Sequence, residues 1–182
     1  EQVALLAGDA LIVMAFETLA LESASSPSVL AQLVQIVAAS VGAPRGIVAG
    51  QAWESEQRIN LANYHQEKTG ALFAAATMAG AASCNYNPEE WRHLGITVGE
   101  SYQIADDIRD VCASSEEIGK PTGQDEANNR PNIAREMGVD QAVLLLKRMI
   151  SEAIENIPEC PLREKLQKQI AAEGRQFLPE SM

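Results

Sequence analysis

Aromatic side chains make up only 4% of this 182-residue chain. Sheets draw on aromatic and β-branched residues to fill their pleated faces, so the shortage argues against a β-sandwich or barrel. No strictly alternating run of apolar and polar residues appears, and no unit recurs at a fixed period. Solenoids and propellers are therefore excluded as well. Basic residues are also scarce: 14 Lys and Arg stand against 25 Asp and Glu, a formal net charge of −11. A nucleic-acid binder needs a basic footprint, and an anionic bilayer attracts basic segments, so neither is an electrostatic partner. The three cysteines, Cys84, Cys112 and Cys160, lie far apart and form neither a CxxC pair nor a zinc-ligand spacing. That excludes a disulfide framework and leads us to expect a reducing, cytoplasmic setting. His65 and His93 are the only histidines, and their spacing is not that of metal ligands. No basic stretch precedes the first apolar run, so a secretory leader is not expected.

What is present favours helices. The chain is 46% hydrophobic and contains 28 Ala, enough apolar material for a core and a composition with high helix propensity. Residues 3–22 are apolar on nearly all sides, the pattern of a helix in the middle of a bundle. Asp9 and Glu17 interrupt that run, which favours a buried helix over a membrane span. Asp9 is then expected to be a hydrogen-bonded structural group. A second helix is expected over 29–41, ended by Gly42-Ala43-Pro44, and a third over about 45–58. Asn60 or Asn63 is placed to cap a long helix reaching about Ser83, with Tyr64, Leu72, Ala75 and Ala79 on its packing face. Pro88 suits the first turn of a helix running from about Glu89 to Cys112. Residues 114–132 hold four Gly and Pro and are expected to form a loop. From Val139 to Ile157 apolar residues recur at 3–4 spacing, the mark of an amphipathic helix, and a last helix covers 162–177. The fold class is all-α: a helical bundle in one domain over residues 1–182.

The negative charge is concentrated. Residues 100–126 hold eight acids against Arg109 and Lys120, so more than half of the net charge falls in 27 residues. Its centre is Gln103-Ile-Ala-Asp-Asp-Ile-Arg-Asp110. On a helix Asp106 and Asp110 are four residues apart and share a face, with Gln103 one turn earlier. Like charges at that spacing destabilise a helix by a few tenths of a kcal/mol. A hard divalent cation relieves that repulsion, and Mg²⁺ favours one or two carboxylates together with phosphate oxygens. Lys120 lies in the Gly-rich loop that follows, and Lys68-Thr69 stands upstream before an Ala-rich helix. An acidic metal cluster, isolated lysines and a small-residue apolar interior together suit a diphosphate with a hydrocarbon tail.

These blocks resemble the trans-isoprenyl diphosphate synthases, the polyprenyl synthetase family, and most of all the geranylgeranyl diphosphate synthases of bacterial carotenoid pathways. The resemblance rests on Leu6-Ala-Gly-Asp-Ala-Leu11, Gly50-Gln51, Lys68-Thr69, the Gln103–Asp110 run and Gly119-Lys120 with Asp125, in family order. It implies an all-α bundle around a central cavity, normally a homodimer, that condenses isopentenyl diphosphate with allylic prenyl diphosphates. By that resemblance Asp106, Asp107 and Asp110 form the second aspartate-rich motif, with Asp106 the main Mg²⁺ ligand and the other two in direct or water-mediated support. Lys68 and Lys120 contact the allylic diphosphate, and Thr69 and Gln103 stand near the reacting carbons. Tyr102 replaces a common Phe, Glu54 a common Asp, and Asn132 a common Thr. The family's first aspartate-rich motif lies ahead of the block with which this chain begins, so the chain corresponds to the C-terminal portion of the family's domain. Three alternatives carry weight beside a C20 synthase: a non-catalytic partner subunit, a farnesyl diphosphate synthase, and a terpene cyclase-like enzyme. The Gly119-Lys120 loop counts against the last.

Overall fold

The computed structural model describes residues 2–22, 26–53, 56, 64, 66–112 and 132–177, and among them every regular element is helical. In chain order these are α1 (Gln2–Glu22), α2 (Pro27–Val41), α3 (Ile47–Trp53), a π-helical segment (Gln66–Gly70), α4 (Ala71–Ser83), α5 (Glu89–Cys112), α6 (Ile133–Met137), α7 (Val139–Glu155) and α8 (Arg163–Gln176). The expectation of an all-α fold holds.

α5 is the axis of the bundle. Its start is fixed locally. Asn87 accepts a hydrogen bond from the Glu89 amide at 3.2 Å, and its side-chain amide donates to Glu90 at 3.1 Å. Two otherwise unmatched groups at the helix entrance are thereby matched, much as in a capping box. Glu89 and Glu90 in the first turn and Arg109 in the last suit the helix dipole. One side of α5 packs on α4 and the π-helical segment, another on α6 and α7. The approach to α4 is close because residue 95 is glycine: a Cβ there would lie 2.4 Å from the Ala74 Cα. The core against α6 and α7 comprises Ile104, Ala105 and Ile108 with Ala134, Ala142 and Leu146. A second cluster joins Leu94 to Ala153 and Ile157, with Trp91, Val98, Leu166 and Ile170 packed around it. Arg163 ties α7 to α8 by donating to the carbonyls of Ile157 and Glu155, both at 2.9 Å, which satisfies acceptors that a helix end leaves open.

Two expectations need correction. α1 is not buried. Val3 is 79% exposed, Leu21 is 71% exposed, and Asp9 is exposed as well. A helix apolar on every side requires a cover, but its own chain does not have to supply one, and its main neighbour here is α2. With mean hydropathy 1.9 it is, among the described residues, the one helix long and apolar enough to cross a membrane. Second, the helix expected to end at Ser83 does end there, but its packing face is rotated. Tyr64 and Ala75 are buried, whereas Leu72 is 50% exposed, and the buried row on α4 is Ala74, Ala75, Met78, Ala81 and Ala82. A π-turn takes in an extra residue, so every side chain beyond it shifts around the axis. The five-residue α6 follows directly after the segment expected to be a loop, at a place where no helix was expected.

Candidate active site

The π-helical segment and α5 bring four of the expected residues together. Lys68 and Thr69 lie within the π-turn. Lys68 Nζ donates to the Tyr64 hydroxyl at 2.6 Å and sits 5.0 Å from the centre of that ring. Tyr64 is only 4% exposed, so it serves as a buried post beneath the ammonium group. Thr69 Oγ1 donates to Gln103 Oε1 at 3.0 Å, and Gln103 Nε2 donates to Asp107 Oδ1 at 2.9 Å. The second carboxylate oxygen of Asp107 accepts from the Ile133 amide at 2.8 Å. A continuous line of hydrogen bonds therefore runs from the π-turn, across α5, to the start of α6.

Asn132 anchors the far end. Its Oδ1 accepts from the Arg135 amide at 3.1 Å, capping α6, and its Nδ2 donates to the Asp107 carbonyl at 3.1 Å. It is 2% exposed, so both bonds lie in an environment where losing a partner is costly. Arg135 reaches back to Asp110 Oδ2 at 3.3 Å. The opposite end is held by Glu67, which accepts from the Gly46 amide at 2.6 Å. Gly50 allows α3 to lie directly on the π-turn, since a Cβ there would be 2.5 Å from the Lys68 nitrogen. The turn carrying Lys68 and Thr69 is thus clamped between α3 and α5.

The three aspartates are not equivalent. Asp107 is 1% exposed and turned into the fold, Asp110 is 8% exposed and paired with Arg135, and Asp106 is half-buried. Among the described residues, no three His, Cys, Asp or Glu side chains converge on a metal-sized site. Asp106 and Asp110 do share a helix face, and they offer hard oxygen donors only. That set fits one side of a Mg²⁺ site whose other positions belong to diphosphate oxygens and water. One turn before Gln103, burial pushes the Glu100 carboxyl above its ordinary range; positive charge on His93 opposes the shift and Glu152 adds to it.

Two cavities flank α5. One, of about 450 Å³, has a mixed lining: Ile36 of α2, Ala71, Ala75 and Met78 of α4 and Ile96 of α5 are apolar, while Gln32 and Gln35 of α2, Arg45, Gln66 and Glu67 near the π-turn, and Asn87, Glu89 and Arg92 at the start of α5 are polar or charged. Arg92, Ile96, Gln103, Asp106 and Asp110 follow 3–4 spacing, so this cavity lies on the same stripe of α5 as the polar line. The other, of about 790 Å³, is apolar and lies between α4, α5, α7 and α8, with Trp91, Val98 and Tyr102 on the α5 side. It opens on a different stripe. Tyr102 contacts Phe73 and Phe177 there, at ring separations of 5.6 and 5.9 Å.

Of the expected site residues, Thr69, Gln103 and Asp107 are joined by hydrogen bonds, Lys68 precedes Thr69 on the π-turn, and Asp106 and Asp110 lie alongside. Lys120 lies outside the described residues. Sequence reasoning missed Tyr64, Asn132 and Arg135 as members. Tyr64 had a signal, since a Tyr four residues before a Lys places ring and ammonium on one helical face. Asn132 had a weaker one, an N-cap residue three positions before Arg135.

Comparison with known proteins gives a consistent picture. A family profile described as polyprenyl synthetase matches residues 1–167. The chain is 48% identical over 179 residues to a geranylgeranyl diphosphate synthase of Cereibacter sphaeroides, covering 98% of this chain and 62% of that protein. It is 46% identical over 170 residues to a geranylgeranyl diphosphate synthase of Rhodobacter capsulatus, covering 93% of this chain and 59% of that one. Its fold matches a Helicobacter pylori geranyltransferase complexed with magnesium and isoprenyl diphosphate, with TM-score 0.78 and 24% identity over 97% of this chain and 61% of that one. The chain therefore spans about three-fifths of the length of these relatives.

Proposed function

The chain belongs to the polyprenyl synthetase family, and from that premise we propose that its protein is a Mg²⁺-dependent prenyltransferase. It condenses isopentenyl diphosphate with an allylic diphosphate to a short-chain prenyl diphosphate, with C20 geranylgeranyl diphosphate as the main product. The observation that carries this reading is the Thr69–Gln103–Asp107 line, with Lys68 beside Thr69 on the π-turn, set next to Asp106 and Asp110 on one stripe of α5.

In this proposal Asp106 is the principal ligand of the ion and Asp110 assists it, while the Asp107 carboxylate is held by Gln103 and the Ile133 amide. Mg²⁺, when bound, neutralises diphosphate charge and eases its departure as a leaving group. Lys68, held over Tyr64, and Lys120 contribute positive charge at the same diphosphate. Thr69 and Gln103 present oxygen atoms to the allylic carbons as positive charge develops there. The π-turn keeps these oxygens in a fixed place, so little reorganisation is needed at the moment of reaction. The apolar side of the 450 Å³ cavity on the same stripe, formed by Ile36, Ala75, Met78 and Ile96, receives the hydrocarbon chain. The exposed apolar surface of α1 supports a homodimer, with a second copy as its cover. The free thiols of Cys84, Cys112 and Cys160 support a cytoplasmic location.

The test is an assay of the purified full-length protein with isopentenyl diphosphate, farnesyl or geranyl diphosphate, and Mg²⁺, with products separated by chain length. Mg²⁺-dependent C20 product is expected. C15 product alone points instead to a farnesyl diphosphate synthase, and no prenyl product from any primer refutes the reading.

A further inference from the structure

We propose that Asp107 works through Gln103 rather than on the ion: it sets which way the Gln103 amide faces. The inference deepens the prenyltransferase reading and rests on it. The aspartate-rich pattern suggests three equivalent carboxylates, but the geometry sets Asp107 apart. It is 1% exposed, one oxygen accepts from the Ile133 amide at 2.8 Å, and the other accepts from Gln103 Nε2 at 2.9 Å. The backbone of the same residue is held by Asn132 at 3.1 Å. Both carboxylate oxygens of Asp107 act as acceptors here, so it is the NH₂ end of Gln103 that faces it. The carbonyl end must then face Thr69, whose hydroxyl donates to it at 3.0 Å. Asp107 therefore decides that the groups at this point of the site are oxygens and not N–H donors, and that Thr69 gives its proton away and keeps its lone pairs. Beside a carbon that becomes positive, oxygens attract and N–H groups repel. Asp107 is a positioning residue.

The consequence is a reversal that can be tested. In Asp107→Asn the Ile133 amide still needs an acceptor, so the new side chain turns its carbonyl there and its NH₂ toward Gln103. Gln103 must then flip, present its NH₂ to Thr69, and turn Thr69 into an acceptor. Every bond is retained, but the polarity at the reacting carbons is inverted. Gln103→Glu added to Asp107→Asn restores it. A carboxylate at 103 accepts from both Thr69 and the NH₂ at 107, and the total charge equals that of the parent.

The experiment uses the full-length protein in four forms: parent, Asp107→Asn, Gln103→Glu and the double substitution. Steady-state prenyl transfer, Mg²⁺ titration in the presence of inorganic diphosphate, and the side-chain amide NMR signal of Gln103 are measured on each. Asp107→Asn is expected to lower kcat ~10- to 100-fold, the range for altering a residue that orients a site group, with KM and the Mg²⁺ midpoint within about twofold of the parent. Gln103→Glu alone places two carboxylates in contact and falls at least as far. The double substitution is expected to recover most of the loss, a non-additivity that marks a direct pair. In the parent, the Gln103 amide protons are expected to be shifted downfield by the Asp107 carboxylate, and in Asp107→Asn, where the NH₂ faces Thr69 instead, that shift is lost. A Mg²⁺ midpoint raised tenfold or more in Asp107→Asn, or no recovery in the double substitution, overturns the proposal in favour of a ligand role. If Asp107→Asn does not fold, the parent amide signal and the comparison of Gln103→Glu with the double substitution decide the matter. A parent protein that makes no prenyl product refutes the activity, and with it the catalytic meaning of the network. An unshifted Gln103 amide signal in an active parent refutes the network alone.

Discussion

Gly50→Ala tests whether the clamp on the π-turn is needed for activity. The added methyl would lie 2.5 Å from the Lys68 nitrogen, 2.7 Å from its Cα and 2.9 Å from the Glu67 carbonyl carbon. Ordinary contacts of this kind begin near 3.5 Å, so α3 and the π-turn must part by about 1 Å. All three obstructing atoms are backbone, so no side-chain rotation relieves the overlap. Overpacking of this kind costs about 1–3 kcal/mol, and for a chain of this size that lowers Tm by roughly 2–12 °C. The functional loss should be larger than the stability loss suggests. The Thr69–Gln103 bond is 3.0 Å long, and moving Thr69 by 1 Å breaks it. Misplacing a positioned group by that distance costs on the order of 100-fold in turnover. Prenyl transfer and thermal melting on the same preparation measure both effects. Gly80→Ala is the control: a Cβ there meets nothing within 4 Å, and in a helix interior the change should stabilise by about 0.4–1 kcal/mol. If Gly50→Ala melts with the parent and keeps turnover within about threefold, the clamp is not what positions Lys68 and Thr69.

Three further outcomes follow from the same geometry. Asp106→Ala should lower kcat/KM by about 100-fold or more, since a bound cation supplies several kcal/mol of transition-state stabilisation. It should also raise the Mg²⁺ needed for half-activity while leaving Tm unchanged, and turnover within about threefold of the parent removes Asp106 from the metal role. Ala75→Phe fills part of the 450 Å³ cavity and should shift product from C20 toward C15 or C10; an unchanged product profile by chromatography shows that the chain grows elsewhere. Glu100 has its pKa raised by burial, so the folded state favours its protonated form. The resulting stability is present below the ordinary value of 4.5 and is lost as pH rises through the folded value. Glu100→Gln should accordingly raise Tm at pH 7 and leave it unchanged at pH 4, and equal effects at both pH values contradict burial as the cause.

The parts of this architecture that sequence made legible are those where local chemistry and tertiary packing agree. α5 runs over the expected residues because the Asn85–Pro88 turn and the acidic first turn define its start. α7 shows its face because apolar residues recur at 3–4 spacing around Ala142, Leu146 and Ala153. The pairing of Asp106 with Asp110 on one face followed from helical geometry alone. What sequence left hidden depends on neighbours. α6 has five residues, too few for periodicity to register. The π-turn leaves no compositional mark, yet it rotates α4 enough to exchange Leu72 for Ala74 on the buried row.

The same limit explains why Asp107 and its flanking aspartates look alike in sequence and differ in structure. Helical spacing gives the angle at which a side chain leaves α5, but not what it meets. Asp107 leaves about 100° around the axis from Asp106, and at that angle it meets the Ile133 amide and Gln103. A buried carboxylate is tolerated only when its oxygens are matched by donors, and the donor at one oxygen is a backbone N–H supplied by the start of α6. Asn132 places that N–H by capping α6 and by holding the Asp107 carbonyl from the other side. The orientation of Gln103 thus depends on a cap 29 residues further along the chain, beyond the reach of any local pattern. An acidic motif therefore serves two ends at once on this helix. In the proposed reading Asp106 faces the cation with Asp110 in support, while Asp107 is committed to the fold through the Ile133 amide and Gln103.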